Sequence, residues 1–157
     1  MSPTADRTPV EAQLEMVHTL PKARLVNRID YLVQRAAGRR VIHVGFVDAG
    51  FREMQEATGA WLHGHLAEQA SEIVGLDIDE PGVAAARAEG FEVHVADCRD
   101  PAAVEALELE PADVVIAGEI IEHLDDPGSF LRILHQLVRP GGELVLTTPN
   151  ASGLVNG

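Results

Sequence analysis

The chain has 157 residues, 46% of them hydrophobic, and a formal net charge of −13 at pH 7. That length suits one domain and that composition can build a core, which excludes disorder and collagen-like repetition, while the acidity repels phosphate backbones, so nucleic acid is not an expected partner. The longest apolar runs fall short of the roughly 18 to 20 residues of a membrane span, the opening MSPTADRTPV has no charged-then-apolar leader, and the lone Cys98 offers neither an internal disulfide nor a zinc spacing. A soluble cytoplasmic protein without a membrane partner is the expectation.

In chain order, residues 9–18 (Val10, Leu14, Val17) and 22–36 (Leu25, Ile29, Leu32, Val33, Ala36) carry apolar side chains at helical spacing, with Gly38 as a stop. They predict N-terminal helices over 1–38, ahead of a second unit over 39–157. The basic cluster Arg24, Arg28, Arg35, Arg39 and Arg40 reads as a solvated helix face. RVIHVG is a first strand, and in VIHVGFVDAG (41–50) it breaks at Gly45 into a glycine-punctuated turn able to present backbone N–H groups to a ligand. FREMQEATG (51–59) is an extra loop that either lids the site or lies on the surface, and AWLHGHLAEQA is a helix. EIVGLDID is a second strand, short and apolar as a strand buried on both faces should be. Asp79 as N-cap, Pro81 in the first turn and Gly90 past the end bracket a helix over PGVAAARAE. FEVHVAD is strand three, PAAVEAL a helix started by Asp100, and ADVVIAG strand four. DPGSFLRILHQLV is a helix with Phe130, Leu134, Leu137 and Val138 on one face; RPGG ends it with a turn, and ELVLTTP is strand five.

Strands alternating with helices predict an α/β, Rossmann-like, doubly wound and mainly parallel sheet, because right-handed crossovers stack such strands side by side. Ligands on these sheets sit at the carboxyl ends of the strands, where the strand order reverses. The residues there are Gly45 to Gly50 after strand one, Asp77 and Asp79 after strand two, Asp97 and Cys98 after strand three, and Gly118, Glu119, Glu122 and His123 after strand four. A row of acids suits a ligand bearing hydroxyls, an amino group and positive charge better than an anionic pyrophosphate. Asp79 and Asp100 read as helix starts. Cys98 reads as a small pocket-wall residue rather than a nucleophile, with no basic neighbour evident to lower its pKa.

Taken in order, VIHVGFVDAG, VGLDID, VADCRD, DVVIAGEIIEHLDDP and RPGGELVLTTPN resemble the class I S-adenosylmethionine-dependent methyltransferases over about Arg40 to Asn150, nearest to the ubiquinone-pathway, glycan and natural-product subgroup. The resemblance implies S-adenosylmethionine as cofactor and a small-molecule acceptor. By position, Gly45 lets the backbone pass the methionine part of the cofactor, and Asp77 grips the ribose hydroxyls. Ile78 lies against the adenine, Asp97 accepts from its amino group, and the Cys98 N–H donates to the ring. Ala117 and Gly118 flank the methionine amino group. Three positions depart from the family pattern: His43 stands where an acid is common, and Val47 and Ala49 replace turn glycines. Asp48 restores a negative charge there, while the β-branched Val47 would narrow the pocket or force a different turn.

If the acceptor is a hydroxyl, His123 and Glu122, after strand four, are the expected catalytic base residues, with His63 a weaker candidate. Glu119, Glu122 and His123 at i, i+3 and i+4 would share one side of a helical turn and suit a hard divalent cation, as similar patterns do in some relatives. A further downstream ligand is lacking, so no metal is assigned. The family fold resembles a seven-stranded sheet whose last two strands form a reversed hairpin beside strand five. The expectation is therefore a C-terminally incomplete sheet with strand five at its edge, open to pairing with a second copy. Two other classes stay open: a non-catalytic S-adenosyl-ligand binder, and an NAD(P)-dependent reductase, for which Asp77 comes late in the fingerprint.

Overall fold

Helix starts in this chain are written mostly as an acid followed by proline. The computed structural model, which describes residues 26–48, 57 and 59–149, shows the pattern at work. The carboxylates of Asp79, Asp100 and Asp126 accept the N–H groups of Gly82 (2.6 Å), Ala102 (3.0 Å) and Ser129 (3.0 Å), so donors that the first turn leaves open are satisfied from the cap. The helices they start are α3 (Glu80–Ala88), α4 (Pro101–Glu105) and α5 (Pro127–Leu137), each with proline in its first turn. Two helices precede them, α1 (Arg28–Ala36), capped by Asn27, and α2 (Leu62–Gln69). The helix expected over 9–18, Ala49 and most of the 51–59 loop lie outside the described residues.

Between these helices run β1 (Arg40–Val44), β2 (Glu72–Asp77), β3 (Val93–Val95), β4 (Ala112–Gly118) and β5 (Val138–Thr147). They form one all-parallel sheet in the order β3-β2-β1-β4-β5, so the winding reverses between β1 and β4. Alternation along the strands sends side chains to two layers. Ile42, Val44, Val115 and Ala117 face α5, with its Phe130, Ile133, Leu134 and Leu137. Val41, Val114 and Ile116 face α1 and α2 through Leu32, Ala36, Leu62 and Leu66. The N-terminal helix α1 thus shares the core of the sheet that follows it. A third cluster joins Phe46, Val47 and Trp61 to Val83 and Ala86 of α3.

Several features differ from expectation, beginning with the helix read over 22–36, which within the described residues starts at Arg28 behind its Asn27 cap. Strand three keeps only Val93–Val95 of FEVHVAD, because the Phe91 N–H closes the end of α3 on Ala86 O and the Asp97 carboxylate and carbonyl fold the other end into a turn. Strand five begins earlier, at Val138, immediately after α5; the register then jumps from Ala112↔Val138 to Val114↔Glu143, so RPGG is a bulge inside the strand, with Gly141 at φ 80°. The arginine cluster is not simply solvated. Arg35 and Arg39 reach the Glu143 carboxylate of β5 at 3.1 and 3.3 Å, tying helix to sheet, and Arg40 pairs with Glu72 on the neighbouring strand, at the amino ends of β1 and β2. Within the described residues β5 is an edge strand, paired with β4 on one side.

Candidate functional site

Beyond Val44 the chain has to leave the sheet sharply, and Gly45 does so at φ 72°, in the left-handed region where a side chain is strained. Its N–H still donates to Leu76 O at 2.8 Å, holding the turn against β2. The carboxylate of Asp77 completes the attachment. Its Oδ2 accepts the Val47 N–H at 2.9 Å and its Oδ1 accepts the Asp79 N–H at 3.0 Å, so one side chain fastens the loop after β1 to the loop after β2. Trp61 supports the turn from behind, its indole N–H donating to Phe46 O at 3.1 Å.

Above this point lies a crevice of about 720 Å³, at the carboxyl ends of the strands and across the reversal of strand order, within the usual size of a small-molecule site. Gly45, Asp48, Asp77 and Ile78 line one side, Asp97 and Cys98 one end, and Gly118 and His123 the other side. Ile78 presents an exposed apolar side chain at the rim, 62% accessible. Ala117 and Glu122 are not part of the wall: Ala117 is buried in the sheet between Val44 and Leu146, and Glu122 is exposed. Val47 does not narrow the crevice either, since its side chain is buried against α3, where Gly82 leaves room for it.

The helical turn expected of Glu119, Glu122 and His123 does not form. Glu119 sits at φ 56° with its N–H donating to Thr147 O at 2.8 Å, so it still belongs to the sheet, and only Ile121–His123 make a short 3₁₀ turn. The three side chains therefore do not share a helix face. Among the described residues no group of three or more His, Cys, Asp or Glu side chains could hold a metal ion.

Electrostatics divide the crevice. Cys98 is buried beside Asp97 and Asp77, and burial, with those two charges, pushes its thiol up to about 12, so it is a neutral wall group. Its basic neighbour Arg99 turns instead to the Asp97 carboxylate, which it grips through Nε (2.8 Å to Oδ1) and Nη2 (2.7 Å to Oδ2); this grip holds Asp97 below the usual carboxylate range. On the opposite side Arg28, from α1, brings Nη1 to 3.4 Å from Thr147 Oγ1 and 3.6 Å from a Glu119 carboxylate oxygen. Neither arginine was singled out from sequence as part of a site. Arg28 meets Thr147 across 119 positions of chain, a proximity that no local spacing encodes. Arg99 was legible only as the residue next to Cys98.

His43, in place of the acid expected there, is buried with its Nδ1 3.2 Å from His63 Nδ1 on α2, so one ring donates and the other accepts. Burial, reinforced by His63 and Arg28, lowers its pKa well below the ordinary value. The unfolded chain therefore takes up this proton first. Stability carried by the neutral ring is complete above the unfolded value near 6.5 and is lost as pH falls below it, at up to about 1.4 kcal/mol per pH unit. Denaturant midpoints at pH 7.5 and 5.5 are expected to show this loss, and His43→Asn, which keeps a hydrogen-bonding group without a titrating one, to flatten it.

A parallel sheet wound both ways from β1, with backbone turns and carboxylates gathered at its switch point, defines a Rossmann-like, doubly wound class of protein whose ligands sit at that point. Similarity narrows the class. Residues 57–146 match the family model described as a methyltransferase domain. The ubiquinone biosynthesis O-methyltransferase of Pseudomonas aeruginosa is 34% identical over 128 residues, covering 78% of this chain and 50% of that protein; the enzyme of the same name from Hahella chejuensis is 30% identical over 145 residues, covering 89% and 55%. Among solved structures, an S-adenosylmethionine-dependent methyltransferase from Mesorhizobium loti superposes with a TM-score of 0.52 at 25% identity, over 76% of this chain and 51% of that one. A sugar N-methyltransferase from Streptoalloteichus shares the fold, with a TM-score of 0.56 at 19% identity over 80% and 48%. The chain belongs to the methyltransferase-domain family, among the class I S-adenosylmethionine-dependent methyltransferases. It spans about half the length of the curated relatives it matches.

Proposed function

We propose that the protein binds S-adenosylmethionine in the crevice at the switch point and transfers its methyl group to a hydroxyl of a small acceptor. The observation that carries this reading is the placement of Asp77, whose carboxylate lines the crevice at the tip of β2 while its backbone contacts hold the β1 turn in position. The residues present fit such a ligand. Asp77 offers charged acceptors for two ribose hydroxyls, Ile78 an apolar surface for a purine face, and Asp97 an acceptor for its amino group. In this reading the Cys98 N–H donates to the ring. Gly45, Asp48 and Gly118 surround the space for the amino-acid end, and Arg28 supplies the cation that its carboxylate requires.

The bound sulfonium supplies an activated methyl group; the chain's task is to hold donor and acceptor in line, which accounts for most of the barrier reduction in such a transfer. On the acceptor side Ile120, Leu124 and Phe130 contribute apolar surface; of the ionisable groups beside them, Glu119 faces Arg28, and His123 is the group we assign to take the proton of a hydroxyl as it attacks. The apolar wall and the relatives named for ubiquinone biosynthesis both favour a hydroxylated aromatic acceptor. Glu122 lies outside the crevice wall and is given no role in this reading.

Calorimetry tests the reading directly. S-adenosylhomocysteine is expected to bind and NAD is not; the reverse would replace the methyltransferase reading with a reductase. His123→Ala is expected to leave S-adenosylhomocysteine affinity within about twofold and to lower transfer of a labelled methyl group to small phenols and catechols by about 100-fold or more. Binding without transfer by the unaltered chain would favour a non-catalytic S-adenosyl-ligand binder.

A further inference from the structure

The acid assigned to the base of the ligand is already occupied. Asp97 Oδ1 accepts both the backbone N–H and the Nε of Arg99, at 2.9 and 2.8 Å, and Oδ2 accepts Nη2 at 2.7 Å and Nε at 3.2 Å. A carboxylate has about four lone-pair positions, and the backbone N–H and guanidinium of Arg99, two residues on, fill most of them. Arg99 itself is 62% exposed and, like Asp97, lines the crevice. It is not built into the core, so its guanidinium is free to leave without disturbing the packing.

We propose that Arg99 is a built-in competitor for the adenine amino group and so limits the affinity of the site for 6-amino purines: the amino group reaches the Asp97 carboxylate only as the guanidinium yields it. The inference rests on the nucleoside-site reading above and adds a residue to which that reading gives no role. A ligand with a 6-amino group replaces a donor with a donor and leaves Asp97 satisfied. A ligand with a 6-oxo group offers Asp97 an acceptor and cannot displace Arg99 in this way. Arg99 therefore costs the 6-amino ligand alone, and its removal is expected to widen the preference for 6-amino over 6-oxo purines that the Asp97 hydrogen bond provides.

Affinity for S-adenosylhomocysteine and for its 6-oxo analogue, S-inosylhomocysteine, measured by calorimetry on the unaltered chain and on Arg99→Ala, Asp97→Asn and the double variant, decides the matter. Arg99→Ala is expected to tighten S-adenosylhomocysteine by about two- to fivefold, the range that release of an exposed ion pair supplies. Asp97→Asn is expected to weaken it and to erase the gain in the double variant, and the 6-oxo analogue is expected to show no gain. Unfolding midpoints without ligand, equal in Arg99→Ala and the unaltered chain, would show that the gain belongs to the site. Unchanged or weaker S-adenosylhomocysteine binding in Arg99→Ala would overturn the competitor role while leaving the nucleoside site standing. Failure of S-adenosylhomocysteine to bind any of the four would remove the site reading, and this inference with it.

Discussion

Asp77→Ala is expected to lower affinity for S-adenosylhomocysteine by at least about 100-fold. Two charge-assisted hydrogen bonds to ribose hydroxyls contribute about 1.5–3 kcal/mol each, and the alanine variant forfeits both. It also releases the Val47 and Asp79 N–H groups that the carboxylate accepts at 2.9 and 3.0 Å, which loosens the very loops between which the ligand would lie. Two measurements separate these effects. Unfolding without ligand should show a loss of about 1–3 kcal/mol from the two backbone contacts, whereas calorimetry should show a loss of binding that exceeds it. An Asp77→Ala chain that binds as tightly as the original would remove the observation on which the proposed function stands.

The second large effect is expected at a residue remote from any chemistry. A side chain at Gly82 would fall on Val47 Cγ1 and come within 2.9 Å of the capping oxygen of Asp79. Alanine in a helix normally gains about 0.5–1 kcal/mol over glycine, but here overpacking, at about 1–3 kcal/mol, and a disturbed cap, at about 1 kcal/mol, work against it. Gly82→Ala is therefore expected to be destabilising by about 1–3 kcal/mol in denaturant unfolding. Truncating the other partner should relieve the clash, so Val47→Ala and Gly82→Ala together should be less harmful than the sum of the two alone, by about 1 kcal/mol or more. Additive losses would mean that the two positions do not share one space. The coupling matters for function, because a valine in a turn that usually carries glycine is tolerated only if its side chain has somewhere to go other than the ligand crevice.

Much of the architecture was legible in local spacing. The acid-proline starts at Asp79, Asp100 and Asp126 and the apolar runs of β1, β2 and β4 are self-contained signals, since a cap and a doubly buried strand are each specified within a few residues. The failures share a cause. FEVHVAD looks like a full strand, but its ends are claimed by α3 and by the Asp97 turn. RPGG looks like a turn between elements, but the chain can begin pairing with β4 before it and bulge. EIIEH looks like one helical face, but Glu119 is held in the left-handed region by its bond to Thr147, a residue 28 positions on. Each was a local preference overruled by a partner distant in sequence.

The candidate site divides in the same way. From the sequence alone came the α/β class, the carboxyl-end acids and the resemblance to a methyltransferase, because strand-end residues in a parallel sheet necessarily gather on one rim. Only the folded chain decided which of them face the crevice: Glu122 and Ala117 do not. It alone brought Arg28 of the first described helix over the tip of β5, paired the imidazoles of His43 and His63 beneath the crevice, and turned Val47 into the space above Gly82. These are through-space contacts between elements, governed by packing and charge rather than by periodicity, and a one-dimensional pattern carries no record of which surfaces will meet.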